Sequence, residues 1–304
     1  MNFEAAEKIA KAVLYEGYML YPYCPSAVKN QQRWTFGTLY PVSYEDVRAK
    51  IERSTLHAEC ILLSSPETVV HIRARFLQLG GSSDEDGLRD SVERTFECSM
   101  PLRDGVLREP FSFVAETGEI RGSLRVECEQ ISTEGTSNGL GRFKLRVDLA
   151  NESECDASAN RDSALSCALL SAHLMVGIEE GQFVSLLDPR PELEEAVAGC
   201  KNVGCFPVLV GNEERRNMLL CSPIFLYDFP QIAPESAGDF FDGTEMDEML
   251  TLRVITMTDE EKQQMNSTDT RLRELLDRTE RTAREQLIRT HGTIRSMRPV
   301  SEHE

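Results

Sequence analysis

The sequence predicts an α+β fold: an antiparallel β-sandwich-like N-terminal half, a mixed α/β second half and a helical C-terminal tail. Three observations predict it. Between His57 and Leu149 several segments alternate apolar and polar residues, the mark of sheets with one wet face. After Ser163 the apolar runs become continuous, as in elements buried on both sides. From Thr258 onward a capping box and a leucine stripe recur at helical spacing. The regions expected are 1–155, a helix plus antiparallel strands; 156–258, an α/β region on the same core; and 259–304, helices and a loose tail.

The elements follow in order. Asn2 caps a first helix whose Phe3, Ala6, Ile9, Ala10, Val13 and Leu14 share a face. Gly17 ends it, and Pro22 and Pro25 hold the next stretch extended or turned. Ser26 opens a short helical piece through Gln32, Thr35 to Leu39 reads as a strand, and Tyr44 to Arg48 as a short helix. Strands are expected at His57–Ser64, Val70–Phe76, Val92–Met100, around Leu124–Cys128 and at Phe143–Leu149. In the last of these Arg142, Lys144, Arg146 and Asp148 oppose Phe143, Leu145, Val147 and Leu149. The Gly/Ser stretches 81–87 and 135–141 are hairpin loops, since they lack the lysine and the strand-then-helix setting of a phosphate loop.

Asn151 to Asp162 is a polar loop. Ser163 to Val176 is expected to be a mostly apolar helix and Phe183 to Leu187 a short strand. Pro191 opens a helix through Ala198. Phe206–Val210 and Met218–Tyr227 are expected as strands buried on both faces, and Leu250–Met257 as a further strand. Thr258 and Glu261 form the capping box of a short helix. A second helix runs from about Thr268 to Thr290, with Leu272, Leu275, Leu276, Ala283, Leu287 and Ile288 on its stripe.

Charge and composition exclude several functions. The 304 residues carry a formal net charge of -18, which opposes non-specific nucleic-acid binding and anionic membranes and suits a basic protein partner. No run approaches the ~18 apolar residues of a membrane span, and the first residues form an amphipathic pattern rather than a signal, so a cytoplasmic protein is expected. The nine cysteines are scattered without a Cys-x-x-Cys pair and read as reduced core thiols. Cys200, Cys205 and Cys221 are the closest cluster, and their spacing fits no zinc or iron–sulfur motif. No His-x-x-x-His, Gly-x-Ser-x-Gly or Walker lysine loop occurs, and His173 sits in the expected apolar helix as a core histidine. No catalytic residue, metal or cofactor is therefore assigned.

Two stretches are candidate surfaces. Tyr15 to Pro41 holds five of the seven tyrosines and the only tryptophan. Aromatics with polar tips beside basic side chains are material for a contact surface, and equally for the edge of a core. The partner-binding candidates are Tyr18, Tyr21, Tyr23, Lys29, Arg33 and Trp34. Between Arg216 and Arg253 there is no Lys or Arg but there are seven acids: Asp228, Glu235, Asp239, Asp242, Glu245, Asp247 and Glu248. The last six form a candidate acidic docking loop, whose spacing is not that of a calcium loop. An alternative is an enzyme or ligand-binding site between Tyr15–Trp34 and Pro234–Glu248, joining Glu16, Lys29 and Arg33 with Asp242 or Glu245.

The blocks YEGYMLYPY, SAVKNQQRWTFGTLYP, GQFVSLLDP, NVGCFPVLVG and SPIFLYDFPQIAPESAGDFFDGTEMDEMLTLRVITMTDEEK cover about half of the chain. They resemble a family of uncharacterised bacterial proteins encoded in gene clusters of high-affinity uptake nickel–iron hydrogenases. The resemblance implies hydrogenase maturation, assembly or electron transfer as context, with hydrogenase subunits or maturation factors as partners. It brings no catalytic residues. Cys24, Cys205 and Cys221 depart from the family's pattern, which weakens any cysteine-based site. The expected function is a non-catalytic accessory protein acting through protein contacts.

Overall fold

The structure, a computed structural model, describes residues 1–15, 19–24, 27, 30, 36–44, 52–83, 89–103, 105–132, 140–156, 158–232, 247–268 and 270–290. Of these, 81–83, 89–90, 132, 247–248 and 282–290 are described by their backbone alone. The chain divides into two compact units. One comprises Met1–Tyr18 and Gln32–Gln231, the other Met19–Gln31 and Ile232–Glu304.

The first unit is a β-sandwich. Helix α1 (Glu4–Val13) is followed by β1 (Thr55–Ser64), β2 (Val69–Ser83), β3 (Arg89–Pro101), β4 (Gly105–Ala115), β5 (Gly118–Ser132) and β6 (Gly141–Asn151). Then come α2 (Arg161–Ser166), β7 (Leu170–Ile178), β8 (Gln182–Phe183), a 3-10 turn (Pro191–Leu193) running into α3 (Glu194–Ala198), β9 (Phe206–Leu209) and β10 (Met218–Ser222). The strands form two antiparallel five-stranded sheets, ordered β4-β5-β6-β1-β8 and β3-β2-β7-β10-β9. The alternation read from the sequence sets the register. Leu56, Ala58, Cys60 and Leu62 of β1, Leu145, Val147 and Leu149 of β6, and Val70, Ile72, Ala74 and Phe76 of β2 all enter one core between the sheets. Phe76, Phe96, Phe111 and Phe113 fill part of it, with ring centroids 5.0–5.8 Å apart. Pairing of β2 with β3 reaches Ser83 and Arg89, and that of β5 with β6 reaches Ser132 and Arg142; 84–88 and 133–139 lie outside the described residues.

Helix α1 covers the second sheet. Its Phe3, Ala6, Ile9 and Ala10 pack on Met175, Val208, Val210, Met218 and Leu220. The N-cap position falls on Phe3, without a side-chain cap, rather than on Asn2 as expected; the Asn2 side chain accepts from the Glu4 amide at 2.8 Å just ahead of it. Gly177 allows the close approach: a Cβ there would lie 2.7 Å from the Met1 side chain and 3.1 Å from the Phe3 ring. Arg73 on the same face pairs with Glu7 and Glu97 and lies over the Phe3 ring.

Several expectations are corrected. Ser163–Val176 is not one helix; the helix ends at Ser166 and Leu170–Ile178 is a strand in which every residue is buried. His173 therefore lies in β7. The strand at Phe183–Leu187 shrinks to two residues. The strand at Met218–Tyr227 stops at Ser222, where Pro223 removes the next ladder donor. Thr35 lies outside the described residues, and Leu39 makes only isolated bridges to Arg53 and Leu169. Strand β4, unassigned in the sequence, occupies an edge and carries Pro110.

The second unit is helical where described. It contains α4 (Asp247–Ile255), α5 (Asp259–Thr268) and α6 (Thr270–Thr290). Helix α4 replaces the strand expected at Leu250–Met257: Leu250 and Val254 are buried one turn apart, and Met257 is buried just past the helix end. The capping box forms, with the Glu261 amide donating to Thr258 Oγ1 at 3.2 Å and the Thr258 amide to Glu261 Oε2 at 2.7 Å. Met265, Leu272, Leu275 and Leu276 are buried. Among the described residues no helix is long and apolar enough to cross a membrane.

Candidate partner-binding surface

Strand β1 presents a charged outer face. Leu56 and Ala58 point inward, so His57 and Glu59 point outward, opposite Asp148 and Arg146 of β6. The Glu59 carboxylate is only 2% exposed. Its Oε1 accepts from Arg146 Nε at 2.9 Å and Nη2 at 2.8 Å, and its Oε2 pairs with Lys144 Nζ at 2.7 Å. Oε2 also accepts from the Lys201 amide at 2.8 Å. Burial pushes the carboxyl up, but the bonds from Lys144, the Lys201 amide and Arg146 together outweigh it and hold it at about 2. His57 pairs through Nδ1 with Asp148, and Arg125 bridges Asp148 and Glu127.

This network fastens a strap to the sheet. The Glu59 amide donates to Asn202 Oδ1 at 2.8 Å, and Lys144 Nζ donates to the Gly199 carbonyl at 3.0 Å. His57 and Val203 exchange backbone hydrogen bonds of 2.9 and 2.8 Å. The fastened segment leads directly into β9, whose first residue is Phe206. Glu59 thus sets where Phe206 emerges.

Phe206 begins a chain of exposed rings. Its centroid lies 5.5 Å from that of Phe225, and Phe225 lies 5.5 Å from Tyr227, with both pairs edge-to-face. Exposure rises along the chain from 46% to 49% to 76%. The backbone alternates around these rings: Leu226 packs on the α1 cluster and Phe229 against the sandwich core. Phe229 has φ +55°, the turn that brings the chain back against β9. Its amide donates to the Leu209 carbonyl at 2.7 Å, and the Leu209 amide donates to Asp228 Oδ1 at 2.8 Å. The outer side of β9 is thereby capped at Leu209, and Pro207 has no N–H. This edge offers side chains rather than strand pairing.

The residues singled out in the sequence fall as follows. Tyr23 is fully buried and Tyr21 half-buried, with their rings 6.0 Å apart and the Arg253 guanidinium 5.3 Å from the Tyr21 ring. Their packing is internal to the second unit, where Cys24 Sγ also donates to Gln264 Oε1 at 3.4 Å. Tyr18, Lys29, Arg33 and Trp34 lie outside the described residues, as do Glu235, Asp239, Asp242 and Glu245. Asp247 and Glu248 open α4. Asp228 is the acid with a structural task, since it caps the Leu209 amide and accepts from Ser185 Oγ. The alternative site between Tyr15–Trp34 and Pro234–Glu248 rests mostly on residues outside the described set.

The remaining reactive groups are inward. Cys205 and Cys221 are buried as hydrogen-bonded thiols, and that bond and burial push the Cys205 thiol well up. Cys200 is not with them; it packs beside Leu63 and Leu193, and burial raises it to about 11. His173 is fully buried, donates from Nδ1 to the Ser171 carbonyl at 2.7 Å, and burial lowers it to about 4. Among the described residues no group of three His, Cys, Asp or Glu could hold a metal ion. The ring chain is the exposed feature that the sequence reading missed. Its signal was Pro223 followed by the alternating Phe225 and Tyr227. Compared with known proteins, the chain matches no family model and no curated protein.

Proposed function

We propose that this chain is a non-catalytic accessory protein of a nickel–iron hydrogenase system, acting in the cytoplasm through protein contacts in assembly, maturation or docking. One observation carries the contact role: Phe206, Phe225 and Tyr227 form a contiguous, solvent-exposed aromatic chain on a fixed scaffold. Adjacent exposed aromatics mark interaction surfaces, whereas scattered apolar residues do not. Rings held edge-to-face lose little conformational freedom when a partner covers them, which favours tight contact. The hydrogenase context rests on the resemblance of the sequence blocks. Two of those blocks, NVGCFPVLVG and SPIFLYDFPQ, supply all three rings.

The test is capture from cells producing the hydrogenase, using the tagged chain and its Phe225→Ser/Tyr227→Ser variant. Recovery of structural subunits or maturation factors by the parent, and loss in the variant, is the expected result. Recovery of neither class, with both verifiably present, overturns the hydrogenase assignment. Equal recovery by the variant overturns the role of the rings.

A further inference from the structure

A separate cleft on the first unit has a volume of about 310 Å³, within the range of small-ligand sites. Phe183 and Val184, both buried, line it together with Gln182, Asp188, Arg190 and Arg216. Its two arginines come from different turns. Arg190 follows β8 and Arg216 precedes β10. Arg216 is fixed at its base: its φ is +46°, its amide donates to the Asn212 carbonyl at 3.1 Å, and its carbonyl accepts from Phe183 at 2.7 Å. Its Nε donates to the Glu213 carbonyl at 3.3 Å, and among the described residues no carboxylate pairs with its terminal nitrogens. Among the described residues Arg190 pairs with Glu192 alone, at 3.7 Å, with both side chains more than half exposed.

We propose that this cleft binds a small ligand through an oxyanion, phosphate or carboxylate, held between Arg190 and Arg216. Two arginines lining one cleft offer forked donors that suit the planar geometry of an oxyanion, whose charge offsets theirs. The hydrogen bond from the Phe183 amide to the Arg216 carbonyl joins two lining residues and fixes the Arg216 backbone before a ligand arrives. Asp188 on the same cleft accepts from a hydroxyl or ammonium group on that ligand, and repels a bare anion.

The test is a ¹H–¹⁵N NMR titration of the full chain with inorganic phosphate and, separately, acetate, with chloride matching ionic strength. Amides of 182–190 and 213–217 are expected to shift and saturate with at least one of the two oxyanions. The more strongly bound probe identifies the oxyanion class. Arg216→Gln and Arg190→Gln should each weaken that binding by about fivefold or more, whereas Asp188→Asn should tighten it by roughly threefold. The opposite signs separate a site from general ionic effects. Shifts equal to those with chloride, or the same affinity in all three folded variants, overturn the proposal.

Discussion

Replacing Glu59 by Gln removes the charge that fastens the 199–205 strap. The magnitude follows from the carboxyl itself, held at about 2 against an ordinary 4.5. Each unit corresponds to about 1.36 kcal/mol, so the ionised group contributes about 3 kcal/mol at neutral pH. The folded-state value lies below the unfolded one. The contribution is therefore complete above 4.5 and is lost as pH falls through about 2. At about pH 3 roughly 1 kcal/mol remains. Arg146 and Lys144 are 37% and 21% exposed and can rehydrate, so the loss should not reach the ~5 kcal/mol of a fully buried orphaned charge. Urea unfolding of parent and Glu59→Gln at the two pH values measures the difference, which cancels the other titrating groups. If the strap is released while the sandwich stays folded, the same energy appears as roughly hundredfold faster exchange of the Lys201 amide. A pH-independent difference, or one below about 1 kcal/mol at neutral pH with unchanged Lys201 exchange, refutes the reasoning.

Three further outcomes are expected. Phe225→Ser/Tyr227→Ser should leave stability within about 0.5 kcal/mol per site, because the rings are exposed; a larger drop in a urea melt would show that they hold the fold. Gly177→Ala should destabilise by about 1–3 kcal/mol and loosen α1, since its Cβ meets Met1 and Phe3, and amide exchange across α1 reads this directly. In the native protein Cys60, Cys205 and Cys221 should resist iodoacetamide while the half-buried Cys155 reacts sooner, and all nine thiols should react after denaturation. Rapid labelling of Cys205 in the folded state would contradict its burial.

The strands with one wet face were legible because their alternation is the physical signature of half-burial. In β6 the inward residues Phe143, Leu145, Val147 and Leu149 were those read from the pattern. Strand β7 was not legible as a strand: Met175 packs against α1, and Ser171 and His173 are buried like their neighbours, so the two-residue period vanishes. The β-branched and apolar run at Leu250–Met257 favoured a strand locally, yet burial of Leu250 and Val254, one turn apart, decides for a helix. Strand β4 escaped because Pro110 argues against a central strand, and only the topology reveals an edge. The Glu59 cluster needed the register that sets Glu59 opposite Arg146 and His57 opposite Asp148. The ring chain needed to know that pairing stops at Ser222, which exposes Phe225 and Tyr227 instead of burying them.

The most direct test of the central claim is quantitative recovery of hydrogenase subunits and maturation factors by the parent chain and by Phe225→Ser/Tyr227→Ser, at matched expression. Hot-spot aromatics are worth about 2 kcal/mol or more each, so the double variant should recover at least ~30-fold less of a partner captured by the parent. Capture that is undiminished in the variant contradicts the aromatic surface. A parent chain that captures neither class of partner contradicts the accessory function.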